Sequence, residues 1–294
     1  MSNIAFPIFG IVSLLFAGVA GWFGWKQHRK RRLVSATPTT EIGAITDEGT
    51  VEITGEVSCD DPFDSPIQGE EAVVSAWEIE DWDETGQSGM WQTKASGLYT
   101  TPFTIHDGTG QVHVAIGDHL ADESGTGISD MQLGPLDFDQ FLTDGVSIDN
   151  VASSLERFAA VTTVPPDADP PERIAEFLEG ETTIAEQSDS ITNILDVGHA
   201  HGERRFYEGT IAPGDEVYLL GEATATDGAT HPLSPDDIEI QPPDDDGLLL
   251  VSDQSEEELL ADLGTYKLAY AVAAGFALLG IALLLVGTGV VPLG

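Results

Sequence analysis

The sequence predicts an α+β protein rich in β-strands: an antiparallel sheet or an OB-like partial barrel with a few helices, flanked by two transmembrane helices. Short runs in which every second residue is apolar recur between residues 50 and 251, and this pattern is typical of strands with one buried face. Two long uncharged runs lie near the ends of the chain, at residues 4–25 and 268–292. About 220 of the 294 residues remain for soluble structure, which is enough for one hydrophobic core.

The first element is a predicted transmembrane helix over residues 4–25, which contain no charge. At about 1.5 Å per residue, a helix of this length crosses a hydrocarbon core of roughly 30 Å. Under the positive-inside rule the basic residues that follow stay in the cytoplasm, and the N-terminus lies outside. We expect these residues to contact anionic lipid headgroups at the membrane surface, within a juxtamembrane segment and linker over residues 26–41. They are Lys26, Arg29, Lys30, Arg31 and Arg32.

Residues 42–263 are predicted to form one soluble β-rich domain that opens with strands. Residues 50–58 and 90–94 alternate as strands do, and in residues 70–82 the side chains of Val73, Trp77 and Ile79 fall on one face. Alternation of this kind is typical of antiparallel sheets with one solvated face.

A hairpin over residues 102–116 is the clearest local signal. Two alternating runs flank the loop Asp107-Gly108-Thr109-Gly110, and glycine accepts the positive φ of a tight turn at little cost. We predict that this hairpin lies at the centre of the β domain.

The middle of the chain is predicted to be less regular. Residues 117–148 are rich in glycine and aspartate and indicate a long loop. Residues 151–160 carry apolar side chains at helical spacing and predict a helix. A second helix is expected to begin near Glu172, after Pro170 and Pro171, and to end at Gly180.

The last third of the domain is predicted to contain a second hairpin and two further strands. The hairpin joins residues 205–211 to residues 216–220 across an Ala-Pro-Gly-Asp turn, and the strands are 238–241 and 248–251. Ser255 and Glu258 form a capping-box pattern that begins a helix.

The second transmembrane helix is predicted over residues 267–292, with Tyr266, Lys267 and Tyr270 at its entry interface. Since the first span runs from outside to inside, this one runs back out. The prediction is therefore a two-span cell-membrane protein with a cytoplasmic domain and both termini outside.

The charge balance excludes one class of partner. The chain has 51 acidic and 11 basic residues, and residues 41–294 carry a formal charge of −45. Such a surface repels phosphate backbones, so no nucleic-acid partner is expected. Because 41% of residues are hydrophobic and five are tryptophan, a disordered acidic tail is disfavoured. Adaptation to molar salt, where screening falls to roughly 3 Å, fits better. We therefore expect a folded protein of a halophilic archaeal type.

The sequence shows no recognisable active site or cofactor site. Cys59 is the only cysteine, so neither a disulfide framework nor a cysteine-rich zinc site can form. Nucleophile-elbow, P-loop and dinucleotide-binding motifs are absent. His199 and His201 are weak candidates for metal ligands, since histidines two apart on a strand share a face. Asp107 and Asp215 both lie in predicted turns, where aspartate accepts hydrogen bonds from backbone amides.

Three stretches carry a family resemblance. They are residues 101–114, TPFTIHDGTGQVHV, residues 212–223, APGDEVYLLGEA, and residues 252–260, SDQSEEELL. Between two membrane helices, they resemble the GIDE-type domain of mitochondrial membrane-anchored ubiquitin ligases. The matching positions include Pro102, Phe103, Asp107, Gly110, Gly214, Asp215, Tyr218 and Gly221. The resemblance implies a domain beside the membrane that senses or binds partners. In that family the ligase activity belongs to a RING zinc module, which a single cysteine cannot build.

These observations predict a membrane-anchored, non-enzymatic interaction or sensing domain that scaffolds a membrane complex. Its expected partners are the lipid bilayer and a membrane or cytoplasmic protein. No catalytic residue and no cofactor is predicted. Two alternatives stay open. One is a subunit of a ubiquitin-like conjugation system whose catalytic module lies on another chain. The other is a metal-dependent membrane hydrolase that uses His199 and His201.

Overall fold

The computed structural model describes residues 5–85, 88–117, 120, 126–129, 145–148, 150–181, 184, 187, 199–243, 247–262, 264 and 266–288. The chain divides into two compact units. One unit, which we call the soluble unit, is Thr37–Ser255. The other, which we call the terminal unit, combines the two terminal segments, up to Ala36 and from Glu256. The predicted domain limits, 42 and 263, therefore shift at both ends: residues 37–41 belong to the soluble unit, and residues 256–262 do not.

The helices lie mainly in the terminal unit. They are α1 (Ala5–Ala36), α2 (Glu172–Gly180), α3 (Glu256–Asp262) and α4 (Tyr266–Gly287). Among the described residues, Ala5–Trp25 and Glu256–Gly287 are long and apolar enough to cross a membrane. Helix α1 continues through the basic cluster to Ala36. The predicted juxtamembrane segment and linker, residues 26–41, is therefore helical as far as residue 36. Helix α2 begins and ends where its proline and glycine signals predict.

Most of the soluble unit is β-structure, and the predicted strands at 50–58, 70–82, 90–94, 238–241 and 248–251 are confirmed. The strands are β1 (Gly49–Ser58), β2 (Phe63–Asp64), β3 (Glu71–Ala72), β4 (Val74–Thr85), β5 (Ser88–Thr100), β6 (Phe103–His106), β7 (Gln111–Val114), β8 (Thr126–Ser129), β9 (Ser147–Ile148), β10 (Val151–Ser154), β11 (Ala159–Val164), β12 (Arg204–Ile211), β13 (Glu216–Ala225), β14 (Ile238–Gln241) and β15 (Leu249–Ser252).

Five strands close into a barrel, and the predicted hairpin β6–β7 is part of it. Around the barrel the order is β1, β6, β7, β14, β13 and back to β1. All neighbours are antiparallel except β7 and β14, which are parallel. This is an OB-like topology, and the barrel is closed rather than partial. Alternate side chains such as Ile53, Ile105, Val112, Leu219 and Ile240 fill its interior, each fully or almost fully buried.

A second sheet, in the order β11-β12-β4-β5-β8, grows out of the barrel connections. Strands β4 and β5 belong to the connection between the first two barrel strands. Strand β4 contributes Val74 and Ala76 to the barrel core and Trp77 and Ile79 to a second core beneath α2. The expected solvated face is therefore wrong for this strand, because both of its faces are buried from Val74 to Ile79.

Two predicted elements are wrong. Residues 151–160 form no helix: β10 and the start of β11 flank a turn in which Phe158 N donates to Leu155 O at 3.1 Å. The apolar side chains that gave the helical spacing come from the buried strand β10 and from the turn that follows it. The second hairpin is also absent, because β12 pairs with β11 and β4, whereas β13 pairs with β1, β14 and β15. The turn between β12 and β13 carries the chain from one sheet to the other.

Two further expectations concern less regular segments. In residues 117–148, strands β8 and β9 replace part of the predicted loop, and residues 118–119, 121–125 and 130–144 lie outside the described residues. Cys59 follows β1, and its Sγ lies 3.5 Å from the carbonyl oxygen of Pro102. The thiol packs against the barrel core as a small apolar side chain.

In the terminal unit, α1 and α4 pack closely. A Cβ atom on Gly10 would lie 2.9 Å from the carbonyl oxygen of Gly280, and one on Gly24 would lie 3.0 Å from the Tyr270 ring. Glycine at these positions allows the two helix backbones to approach, which is the usual basis of helix association in membranes.

Candidate functional site

The residues behind the family resemblance build the barrel. Phe103 is almost fully buried in the barrel core. A Cβ atom on Gly110 would lie 3.1 Å from Ile42 Cγ2, and one on Gly221 would lie 2.7 Å from Ile240 Cγ2. Both glycines therefore permit close packing that a larger residue would disturb.

Asp107 holds its own turn and the segment that enters the barrel. Its carboxylate accepts hydrogen bonds from the backbone amides of Ile42 at 2.8 Å, Thr109 at 2.8 Å and Gly110 at 3.1 Å. Gly108 takes a φ of +84°, which glycine adopts easily. Burial raises the pKa of Asp107, but the hydrogen bonds from these amides and from the Thr109 hydroxyl outweigh it and hold the pKa below its usual range. These contacts indicate a structural role.

Glu52 and Tyr218 fix the same entering segment from the outer side of the barrel. Glu52 is completely buried. Its carboxyl group accepts hydrogen bonds from the Tyr218 hydroxyl at 2.7 Å and from Thr39 Oγ1 at 2.6 Å, while its carbonyl oxygen accepts from the Thr40 amide at 2.8 Å. The chain that leaves α1 is therefore attached to the barrel at two separate points.

The second motif forms the turn between the two sheets. Gly214 has a φ of +93°, and the Asp215 carboxylate accepts a hydrogen bond from the Ala212 amide at 2.8 Å. The Gly214 amide donates to Val57 O at 2.8 Å, and the Val57 amide donates to Asp215 O at 2.9 Å. Asp215 thus terminates a turn, as its position in the sequence predicts.

His199 and His201 do not form a shared site. They lie in a turn before β12 rather than on a strand. His199 Nδ1 lies 3.1 Å from Glu203 Oε1, and His201 Nδ1 lies 3.6 Å from Asp83 Oδ1. Within the ranges that the structure describes, no group of three or more His, Cys, Asp or Glu side chains could hold a metal ion. The two histidines therefore contact different carboxylates.

His199 instead takes part in a cluster of aromatic rings, in tilted and edge-on contact, on strands β4 and β5. The rings of Trp82 and Trp91 lie 5.4 Å apart, and His199 lies 4.8 Å from the first and 5.1 Å from the second. The Arg205 guanidinium lies 3.8 Å above the Trp91 ring. Arg205 Nη1 also donates to the Tyr207 hydroxyl at 2.8 Å. Cation–π contacts of this kind stabilise half-exposed surfaces by about 0.5–1 kcal/mol.

Glu80 lies beside this ring cluster, near Arg205. Burial raises the pKa of Glu80, and this outweighs the Tyr207 hydroxyl and the Arg205 guanidinium, which lower it. Arg205 Nη1 lies 3.8 Å from Glu80 Oε2. Glu80, Arg205 and Tyr207 therefore form a half-buried polar group on the second sheet.

An open groove of about 530 Å³ lies beside α2 in the soluble unit. We call it the aromatic groove. Rings of Phe63, Tyr99 and Phe177 line it, together with Pro66, Arg173 and Glu176. The rings of Phe63 and Tyr99 lie 6.3 Å apart. A volume of this size lies within the usual range of roughly 300–1,000 Å³ for ligand sites.

Part of the groove is formed by a connection that corresponds to one of the ligand-binding loops of OB folds. Phe63, Pro66 and Tyr99 all belong to this connection, between the first and second barrel strands. These residues lie far apart in the chain and match no motif, so the sequence alone does not bring them together.

The predicted membrane-surface residues lie on the last turns of α1. Arg31 Nη1 donates a hydrogen bond to the carbonyl oxygen of Leu260 in α3. His28 packs its ring 4.8 Å from Tyr266 at the start of α4. The side chains of Lys26 and Lys30 lie outside the described residues. Aromatic and basic side chains at this level are typical of a membrane–water interface.

Comparison with known proteins yields no relative: no family model, no curated protein and no solved structure matches this chain. Its function therefore has to be inferred from its own residues and their geometry.

Proposed function

We propose that this chain is a membrane-anchored, non-enzymatic interaction domain that scaffolds a membrane complex. The observation that carries the proposal is the aromatic groove, part of which is formed by the connection between the first two strands of an OB-like barrel. Its lining combines three aromatic rings and a proline with two threonines and side chains of both charges, a mixture that suits binding. Among the described residues, Asp107, His199 and Arg204 contact their own neighbours in a turn and in two ion pairs and do not converge on one reacting position.

The two apolar terminal helices support membrane anchoring. Both are long enough to cross a bilayer, and they pack against each other through glycine contacts. We propose that the basic end of α1 faces anionic headgroups in the cytoplasm and that both termini lie outside. The acidic domain would then act as a cytoplasmic loop held at both ends.

We also propose the GIDE-type assignment, in a form without ligase chemistry. It is supported by the concentration of the matching positions in the barrel, with Asp107 and Tyr218 securing the segment that enters it. A RING-bearing partner on another chain would restore the conjugation chemistry, and it would be recovered in the experiment below.

Site-specific photocrosslinking tests the interaction. A photoreactive residue is placed at Thr101, which lines the aromatic groove, in the full chain expressed in its own membranes. The matched control carries the same residue at the exposed position Asp227. We expect one defined protein to crosslink from Thr101 and not from Asp227, and to be lost when Tyr99→Ala is added. Crosslinking that is absent, or equal at both positions, would contradict the proposal.

Cysteine labelling tests the orientation. Because Cys59 is the only cysteine, a Cys59→Ser, Asp227→Cys variant carries a single reporter thiol on the soluble unit. A membrane-impermeant maleimide should label it only after the cells are permeabilised. Labelling in intact cells would place the domain outside.

A further inference from the structure

We propose that the aromatic groove binds a cationic peptide segment of the partner, in which a lysine or arginine flanks an apolar side chain. This inference rests on the proposed function and names the chemistry of the ligand. It follows from what lines the groove, from how its one arginine is used, and from the charge around it.

The groove walls suit an apolar side chain next to a cation. The rings of Phe63 and Tyr99 form one wall, and Phe177 and Pro66 complete it. Phe177 is held in place by the core, because its ring lies 5.0 Å from the fully buried Trp77 ring in an edge-on contact. Tyr99 is held by a hydrogen bond from its hydroxyl to Glu181. Rigid aromatic walls take up apolar groups and attract cations to their faces.

Arg173 is the basic residue of the groove, and its charge is already engaged. Its Nη2 lies 3.9 Å from Asp64 Oδ2, and its Nη1 donates to Ser65 O at 3.2 Å. The guanidinium therefore joins α2 to the loop that carries Pro66. An anionic ligand would have to compete with these contacts.

The remaining charge near the groove is acidic. Glu176 lines it, and Glu172 and Glu179 lie exposed on the same helix. The soluble unit as a whole has only five basic residues: Lys94, Arg157, Arg173, Arg204 and Arg205. One of them, Arg204, is buried against Asp81. The resulting field repels acidic segments and attracts basic ones, and it does so more weakly as salt rises.

Peptide binding to the full chain in nanodiscs of zwitterionic lipid tests the proposal. The probes are three fluorescent peptides of equal length, with Lys-Phe-Lys, Glu-Phe-Glu and Lys-Gly-Lys at their centres. Fluorescence anisotropy is measured at several salt concentrations, all within the range in which circular dichroism shows the chain to be folded. We expect Lys-Phe-Lys to bind best, because it supplies both the cation and the apolar ring, and to bind more weakly as salt rises.

Two variants locate the site, and a third variant serves as the control. Glu176→Lys reverses an exposed charge without touching a core, and Tyr99→Ala removes one wall. Each should weaken Lys-Phe-Lys binding by about tenfold. Asp227→Lys makes the same charge reversal on a distant loop and should leave binding unchanged.

Several results would overturn the proposal. They are stronger binding of Glu-Phe-Glu, equal loss in the Asp227→Lys control, equal signal on empty nanodiscs, and no binding by any peptide. In each case the Thr101 crosslink remains an independent measurement. If the crosslink is still seen, the interaction domain survives and only the cationic ligand fails.

Discussion

The barrel and the second sheet are stabilised in different ways. The barrel interior is filled by apolar side chains of alternating strands, and its buried carboxyl group, Glu52, lies on the outer side. The second sheet encloses ionic groups. Arg204 and Asp81 form a buried two-point ion pair, with Nε–Oδ1 at 2.7 Å and Nη2–Oδ2 at 2.9 Å. The barrel interior therefore depends on hydrophobic burial, whereas the second sheet also contains a buried ion pair.

A second buried charge, the Glu208 carboxylate, lies next to the aromatic groove. This buried carboxylate accepts hydrogen bonds from Ser65 Oγ at 3.0 Å, Ser75 Oγ at 2.9 Å, the Ile67 amide at 3.1 Å and the Gln68 amide at 2.6 Å. These donors fix the loop that carries Pro66. The shape of the groove is thus set by a satisfied charge, whereas the barrel below it is set by apolar packing.

The largest expected effect comes from salt. The net charge of −40 leads us to propose a halophilic protein, and lowering the salt lengthens the screening distance from roughly 3 Å at 1 M to roughly 10 Å at 0.1 M. We expect the soluble unit to unfold on dialysis to about 0.1 M salt. Circular dichroism reports both sheets. The tryptophans of the soluble unit, Trp77, Trp82 and Trp91, all lie on β4 and β5, so their fluorescence reports the second sheet.

The two signals separate the regions. A coincident transition would mean that the sheets unfold as one unit. Fluorescence that changes at higher salt than circular dichroism would show that the second sheet is lost first. A chain that keeps both signals at low salt would refute the halophilic interpretation.

Breaking the buried ion pair should have the next largest effect. Asp81→Ala removes the carboxylate that pairs with the buried Arg204 guanidinium, and breaking a buried ion pair typically costs about 3–5 kcal/mol. Urea unfolding at constant molar salt would measure the change. The double variant Asp81→Leu, Arg204→Met replaces the pair with apolar groups and should recover most of the loss. If Asp81→Ala alone is harmless, the second sheet does not depend on the pair.

A matched pair of tyrosine variants sharpens the contrast. Tyr218→Phe removes a hydrogen bond to the fully buried Glu52 and should cost about 1–3 kcal/mol. Tyr207→Phe removes the hydroxyl that Arg205 contacts on a half-exposed surface, and it should cost less, about 0.5–1 kcal/mol. Both values come from the same urea titrations. Equal costs would mean that burial does not distinguish the two hydroxyls.

The sequence predicts the barrel well because its signals are local. Alternation in β1, β6, β7 and β14, and the Asp107 and Gly214 turns, each depend on a few neighbouring residues. Even here the pairing is non-local: β13 was placed in a hairpin with β12, although its neighbours are β1, β14 and β15. An alternating pattern identifies a strand but not its partner.

The groove could not be predicted because its residues are distant in the chain. Phe63, Tyr99 and Phe177 come together only when α2 packs on the second sheet. The error at 151–160 arises because strand β10 is buried on both faces and therefore lacks the alternation that identifies strands. The β-branched run from Val161 to Val164 was the local signal for a strand there.

The smallest effect distinguishes the two regions by pH. The pKa of Asp107, on the barrel, is lowered, so its contribution to stability is fully present above the unfolded value of 3.8 and is lost as the pH falls through the lower folded pKa. The pKa of Glu80, on the second sheet, is raised, so its contribution is most favourable below 4.5 and declines as the pH rises through the higher folded pKa. Asp107→Asn should therefore flatten the acid side of the stability profile, and Glu80→Gln should remove a decline on its alkaline side. Urea midpoints from about pH 2 to about pH 8 at constant salt measure both. If the two variants change the same side of the profile, the opposite environments inferred for these carboxyl groups are wrong.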